Sequence, residues 1–427
     1  MKITNVHFVP GFAAFYFDDQ TAIKAGARQD GFIYVGPAQT NGFETIRQSG
    51  ECVSIILELE NGQRAEGDCV AVQYSGTAGR DPLFTAARFI PFLQDNLTQH
   101  LMGLDVSRFI DNARFFDELQ LEGQRLHTAI RYGLSQSLLD ATAKASGRMR
   151  TEVICDEFGL PMVVEPLSLF GQSGDDRYGA VDKMILKRVD ALPHGLINNV
   201  PQKLGENGGK LAEYVAWLAQ RIQRLRHDKS YHPQLHIDVY GTIGLIFDND
   251  AARIADYLKV LEERAYPFEL YIEGPADAGS KSGQIKLLSA IKSALAARDC
   301  SVRIVADEWC NTYQDVVDFV DSECCHMVQI KTPDLGSIHN SVEAVLYSKK
   351  NGVEAYQGGT CNETDISARC CLSIALATRP QRLLVKPGMG FDEGMTVVAN
   401  EMKRNLAILS AKTNEVGRAS SPAPRLT

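Results

Sequence analysis

The stretch HMVQIKTPDLGS, residues 326–337, sets a short apolar run, Met327, Val328 and Ile330, directly against Lys331 and a Thr-Pro-Asp turn. Apolar and β-branched residues that stop at Pro333 and Gly336 read as a buried strand entering a loop. Gln329 and Lys331 are two apart and share one face of that strand. A lysine at such a boundary is either a solvated terminus whose stem covers apolar surface or a desolvated base lining a cleft. The choice turns on whether the rest of the chain repeats the pattern.

It does. Short apolar runs recur at Val164–Leu167, Met184–Leu186, Leu235–Val239, Phe268–Ile272, Val302–Ala306, Met327–Ile330, Val353–Tyr356 and Leu383–Val385. The later runs are followed by a loop and a helical stretch, at 250–264, 282–297, 338–350 and 392–410. Eight strand–helix units in roughly 250 residues is the size of a (β/α)8 barrel. The chain is therefore read as α/β, with a C-terminal TIM-type barrel over 161–413. Residues 1–75 instead contain strand-like runs with an Asn-Gly hairpin turn in ENGQ, 60–63, and 82–158 read helical, above all RLHTAIRYGLSQSLLDATAKAS. Strands followed by helices predict an N-terminal α+β capping domain over 1–160. The polar tail NEVGRASSPAPRLT, 414–427, is expected to be disordered.

The 427 residues, 44% hydrophobic and 23% charged, are an ordinary globular composition with length for two domains. A net charge of −9 without a basic patch argues against nucleic acid as a partner. MKITNVHFVPGF lacks the apolar core of a signal peptide, and no run reaches membrane-spanning length, so a cytoplasmic protein is expected. Of the ten cysteines none forms a CxxC pair, and the adjacent pairs Cys324–Cys325 and Cys370–Cys371 are poor metal-ligand spacing. They read as buried residues of a reduced protein.

In a barrel of this kind the active site is built at the C-terminal ends of the strands. The third run, LHIDVYGTIG, carries Asp238; the fourth, FELYIEGP, ends with Glu273; the fifth, VRIVADEWCN, ends with Asp307 and Glu308. Asp238 and Glu273 are 35 residues apart, Glu273 and Asp307 34, and Asp307 and Lys331 24. About one βα unit per step predicts the three acids side by side at the mouth, with Lys331 next around the ring. Any one alone is more often a solvated acid or a helix cap. Three converging carboxylates repel and raise one another's pKa, whereas a hard divalent cation, Mg2+ or Mn2+, suits an all-oxygen set. Glu308 competes with Asp307 for the fifth position. If the strand ends at Ala306, Asp307 points into the mouth. A divalent cation beside a lysine suggests removal of a proton next to a carboxylate, with a lysine pKa lowered by burial and by the cation.

Several longer segments, AFYFDDQ, GDCVAVQYSG, GRDPLF, QRLHTAIRYG, QSGDDRY, LPHGLINNV, HIDVYGTIG, IEGP, ADEWCNT, HMVQIKTPDLG, GGTCNET and KPGMG, resemble the enolase superfamily and, within it, the methylaspartate ammonia-lyases. QIKTPDLG and GGTCNET together are the most specific. The resemblance implies elimination of ammonia from (2S,3S)-3-methylaspartate to give mesaconate, in fermentative glutamate breakdown. It implies metal ligation by Asp238, Glu273 and Asp307, proton abstraction by Lys331, and His194 as a second base across the substrate. It implies substrate contacts from Gln172, Gln329, Thr360 and Cys361, and from Gln73 on the capping side. A monovalent cation such as K+ and a homodimer are implied as well. Locally, His194 reads as a surface or hydrogen-bonded residue as readily as a base, and the amides as interior caps. GGTCNET reads equally as a glycine turn entering a helix. Ser337 departs from the pattern, where a second glycine is usual. A related carboxylate dehydratase or isomerase of the same superfamily is the competing reading. A barrel that has lost its chemistry is a third, and the presence of Lys331 and the acids speaks against it.

Overall fold

The computed structural model describes residues 1–77, 79–121 and 123–419. Eight parallel strands close into a barrel: Leu169–Phe170, Ala191–His194, Gln234–Asp238, Leu270–Glu273, Arg303–Ala306, Met327–Ile330, Glu354–Gln357 and Arg382–Leu384. Helices follow the strands around the outside, among them Gly209–Leu225, Ala251–Ala265, Lys281–Ala296, Ile338–Lys350 and Asp365–Thr378. Their apolar faces pack on the outward residues of the strands, in one large core that includes Leu218, Leu258, Ile291, Ile237 and Ile304. The inward residues Phe170, Ala191, Tyr271, Val305, Met327, Tyr356 and Leu384 fill the barrel itself. A barrel of eight strands is a packed core rather than a pore, so chemistry is confined to its ends. The helix starts are set locally: Asp250 accepts from the N–H groups of Ala252 and Arg253, and Thr312 forms a reciprocal capping box with Asp315.

Six of the eight expected runs coincide with strands, and the first two do not. Val164–Leu167 precedes the first strand, Leu169–Phe170, and Met184–Leu186 lies in the helix Gly179–Leu186. The second strand is Ala191–His194. Met184 and Ile185 are the inner face of that helix, and a short buried run looks the same in either structure. The true second strand contains Pro193, which argues against a strand when read in sequence.

The N-terminal region is a three-stranded antiparallel sheet, Ile3–Asp18, Arg47–Leu59 and Arg64–Cys69, with helices laid on it. The expected turn at 60–63 is present, with Gly62 at φ +80° and its N–H bonded to Leu59 O at 2.8 Å. The long helix Thr128–Ser146 crosses the sheet in near backbone contact, because a Cβ on Gly67 would lie 2.3 Å from Gly133 O. Ile338, Val342, Cys370 and Ile374 of the barrel helices share the core of this region, so it is seated on one side of the barrel. The last helix, Phe391–Ala419, runs into the stretch expected as a tail, and 420–427 lie outside the described residues. Among the described residues no helix is long and apolar enough to cross a membrane.

Candidate active site

Parallel strands pointing one way put their last residues around one rim. Asp238 and Glu273 end the third and fourth strands and are paired in register. His194 ends the second strand and is the register partner of Ile237. It is therefore a strand-end residue and not a loop residue, with a left-handed backbone at φ 61°. Asp307 follows Ala306, the last residue of the fifth strand, and Lys331 follows Ile330 of the sixth. Gln172, Thr360 and Cys361 come from the loops after the first and seventh strands, and Gln73 from the N-terminal region. All of these except Glu273 line one cavity of about 710 Å3 between the barrel mouth and the N-terminal sheet.

The acids do not form one uniform cluster. Oxygens of Asp238 and Glu273 and a ring nitrogen of His194 lie within 4.8 Å of one another, with His194 Nε2 3.8 Å from Asp238 Oδ2 and 3.9 Å from Glu273 Oε2. Asp307 stands beside them but is paired with Lys331, Oδ1 to Nζ at 2.7 Å. Glu308 also lines the cavity and lies 3.8 Å from Arg80, which donates to Asp334 at 2.9 Å. Burial, and then the charge of Asp307, pushes the Asp238 carboxyl well up; burial, Asp238 and Asp307 do the same to Glu273. Repulsion among buried oxygen donors is what a divalent cation relieves. Asp238 and Glu273 thus offer oxygen donors that suit a hard cation, with His194 as the third group within reach and Asp307 tied to Lys331.

The two candidate bases are tuned oppositely. Burial, helped by the charges of Lys386 and Lys331, takes His194 down to about 3, so its ring is neutral. Burial also favours neutral Lys331, but Asp307, Glu308 and Asp334 outweigh it and the opposing Arg80, and its pKa is raised. The lowered lysine pKa expected from burial is thus reversed in this structure by an ion pair.

The amides are held in one orientation. Gln73 Nε2 donates to Asp18 Oδ2 at 2.5 Å, and Asp18 is gripped by Arg47 through two bonds of 2.7 Å. A carboxylate only accepts, so Gln73 turns its oxygen towards Cys361, whose Sγ lies 3.4 Å away. Gln172 Oε1 accepts from Lys386 Nζ at 3.0 Å and its Nε2 donates to Gly388 O. Gln329 donates to the Tyr356 hydroxyl, which donates to Glu273 Oε1 at 2.6 Å. Burial pushes the Cys361 thiol up to about 11, which disfavours the thiolate. Ser337 sits at φ −56° and ψ 135°, where any residue is at ease, so the departure from glycine does not strain the loop.

Comparison with known proteins decides the family. The methylaspartate ammonia-lyase N-terminal family model matches residues 1–159, and the C-terminal model matches 161–411. The chain belongs to the methylaspartate ammonia-lyase family. It is an ammonia-lyase. It is 64% identical to the methylaspartate ammonia-lyase of Citrobacter amalonaticus over 96% of this chain and 100% of that one. A crystal structure of the Citrobacter enzyme containing (2S,3S)-3-methylaspartic acid superposes with a TM-score of 0.95, over the same shares of the two chains. The Mg-complex of β-methylaspartase from Clostridium tetanomorphum is 51% identical, with a TM-score of 0.92 over 96% of this chain and 100% of that chain. A muconate lactonizing enzyme from Pseudomonas fluorescens, 14% identical, has a TM-score of 0.58 over 88% of this chain and 84% of that one, and shares the fold alone.

Within this ammonia-lyase the sequence reading passed over Lys386, Tyr356, His236 and Arg80, all part of the site or directly behind it. Lys386 had a usable signal: it follows the eighth apolar run as Lys331 follows the sixth. Burial, first, lowers its pKa, and Lys331 adds to that. Tyr356, His236 and Arg80 have no local signal, since each gains its role from a partner on a distant segment.

Proposed function

We propose that the chain catalyses the reversible, Mg2+-dependent elimination of ammonia from (2S,3S)-3-methylaspartate to give mesaconate. The observation that carries this reading is the placement of Lys331 and His194 at the ends of the sixth and second strands. These strands are diametrically opposite in the barrel, and both residues line one cavity beside three buried carboxylates. The near full-length identity to a relative crystallised with that amino acid supports the substrate.

Asp238, Glu273 and Asp307 hold the cation. A bound Mg2+ stabilises the extra negative charge that builds on the substrate carboxylate as the C3 proton leaves. Lys331 Nζ, in its neutral form, takes that proton. The C3 electron pair becomes the C2–C3 double bond as the C2–N bond breaks, and the amino group departs as ammonia. His194, neutral and on the facing wall, is placed to take the C3 proton of the (2S,3R) epimer, which points the other way. Gln172, Gln329, Thr360 and Cys361 bind the substrate's polar groups, and the oxygen of Gln73 suits its ammonium. The N-terminal region over 1–160 caps the barrel of 161–413 and completes the cavity.

A monovalent cation such as K+, a homodimer and a role in glutamate fermentation belong to the same reading. A reducing, cytoplasmic setting suits ten free cysteines, nine of them buried. The test follows mesaconate by its ultraviolet absorbance, with Mg2+ present and after chelation, and with and without K+. Elimination of water from a hydroxy-acid, with no release of ammonia from methylaspartate, would overturn the proposal.

A further inference from the structure

Beneath the rim, inside the barrel, a guanidinium is buried away from any hydrogen-bonded acid. Arg382 of the eighth strand is 0% exposed. Among the described residues its Nε and Nη2 have no hydrogen-bond acceptor, and its Cζ lies 4.2 Å from the centre of the Tyr271 ring. A buried arginine with unsatisfied donors is costly, and the Tyr271 ring and the charge of Glu354 offset part of that cost. Its Nη1 meets His236 Nδ1 at 3.1 Å. A guanidinium can only donate. Nδ1 must therefore carry the lone pair, the ring is neutral, and its proton sits on Nε2. That nitrogen lies 2.8 Å from Glu273 Oε2.

The ring has little room to turn. It lies nearly parallel to Phe170, 4.4 Å between centres, and to Tyr271 at 5.8 Å, with Tyr356 edge-on at 5.2 Å. The other oxygen of Glu273 accepts from Tyr356 at 2.6 Å. Both oxygens of one carboxylate are thus anchored, one by His236, whose tautomer Arg382 sets, and one by Tyr356, whose hydroxyl accepts from Gln329. Asp238 receives a hydrogen bond from the backbone N–H of Tyr240, at 3.1 Å, and Asp307 is held by Lys331 at 2.7 Å.

We propose that Arg382 and His236 are positioning residues for divalent-ion binding: the arginine selects the histidine tautomer, and the histidine Nε2–H holds Glu273 in place as a ligand. This rests on the metal site of the proposed function and deepens it. Partners of this kind typically change metal affinity by about ten- to a hundredfold when removed.

The experiment titrates Mn2+ into substrate-free protein and follows the free ion by electron paramagnetic resonance, for the parent, His236→Leu, His236→Gln and Arg382→Met. His236→Leu should weaken binding by about ten- to a hundredfold. His236→Gln, whose amide can accept from Arg382 and donate to Glu273, should stay closer to the parent. In turnover, Arg382→Met should raise the Mg2+ concentration needed for half-maximal rate more than it lowers kcat. Nitrogen-15 spectra of histidine-labelled parent protein should show a pyridine-like Nδ1 and a pyrrole-like Nε2 at His236. That measurement decides the case even if a core variant fails to fold. The opposite tautomer, or equal Mn2+ affinity in all four proteins while the parent binds the ion, overturns the positioning role and leaves the proposed function standing. A parent that binds no Mn2+ removes the metal reading, and this inference with it.

Discussion

Lys331 and His194 occupy opposite walls of one cavity, and both are buried, yet their proton affinities move in opposite directions. On the wall of the sixth strand, Asp307 lies 2.7 Å from the lysine, and Glu308 and Asp334 add negative charge, so the ammonium is favoured. On the wall of the second strand, burial first and then the charges of Lys386 and Lys331 hold the imidazole neutral. The carboxyls of Asp238 and Glu273, 3.8 and 3.9 Å away, are themselves pushed towards the protonated form. Burial acts alike on both, against the charged form. The neighbours decide the outcome. His194 is neutral but only weakly basic as the structure stands, whereas Lys331 must first be freed from Asp307, the same carboxylate that is expected to ligate the cation.

The largest expected effect tests whether the two walls are separate bases. Lys331→Ala should lower turnover of the (2S,3S) epimer by about a hundred- to ten-thousandfold and spare much of the (2S,3R) activity. His194→Ala should do the reverse. Mesaconate formation measures the rate for each epimer, and deuterium exchange at C3 reports the proton step apart from ammonia release. Equal damage to both epimers from each substitution would break the comparison and leave His194 as an electrostatic residue.

Next in size is the link between lysine and metal. Asp307→Ala should abolish Mg2+-dependent turnover and weaken Mn2+ binding, because one residue serves both the cation and the lysine. Glu308→Ala, which loses a contact with Arg80 and some of the negative charge near Lys331, should retain most activity. Binding and rate are read by Mn2+ titration and by the mesaconate assay. Full activity in Asp307→Ala with loss in Glu308→Ala would move the fifth-strand ligand by one residue.

A third site sets burial against hydroxyl donors and a weaker opposing charge, that of Lys386. Glu363, in the loop after the seventh strand, is 1% exposed and accepts from Tyr132 at 3.1 and 3.2 Å and from Ser367. Burial pushes its carboxyl up to about 7, with the Ser367 and Tyr132 hydroxyls working against the rise. Its pKa is raised on folding, so the folded state binds the proton more tightly than the unfolded chain. That contribution is fully present below the unfolded value, about 4.3, and is lost as pH rises through about 7. Glu363→Gln removes the ionisation. Its stability relative to the parent should therefore improve by on the order of 3 kcal/mol between about pH 5 and about pH 8. Urea unfolding at the two pH values measures it. A parallel pH dependence in both proteins would show that the hydroxyl donors and Lys386 together keep a buried carboxylate ionised.

The smallest effect is expected at Ser337, on the loop that leaves the lysine wall. Its backbone is already in an ordinary conformation, and its hydroxyl lies 2.8 Å from His339 Nδ1. Ser337→Gly should cost about 1 kcal/mol in urea unfolding and leave the ratio of the two epimers unchanged. A shifted ratio would mean that the loop geometry reaches Lys331.

Much of this was legible in the linear chain. Asp238, Glu273, Asp307 and Lys331 stand about one strand–helix unit apart because the barrel repeats that unit, and a residue at the end of each strand must then arrive at the same rim. Helices at 250–264, 282–297 and 338–350 were equally readable, since a one-sided apolar face leaves a period in the sequence. The first two strands were not. Leu169–Phe170 is too short to show a period, and Ala191–His194 is masked by its proline while the neighbouring helix offers a better apolar run.

The sequence by itself determined which residue types stand at the strand ends, and with them the class of chemistry. Tertiary structure alone decided their states. Whether Lys331 is charged depends on Asp307 at 2.7 Å, which way Gln73 points depends on Asp18, and which nitrogen of His236 holds the proton depends on Arg382, 146 residues further along the chain. Side-chain identity is a local property and can be read in order along the chain. Proton affinity and hydrogen-bond direction are set by whatever lies within a few ångströms, and only closure of the barrel brings those partners together.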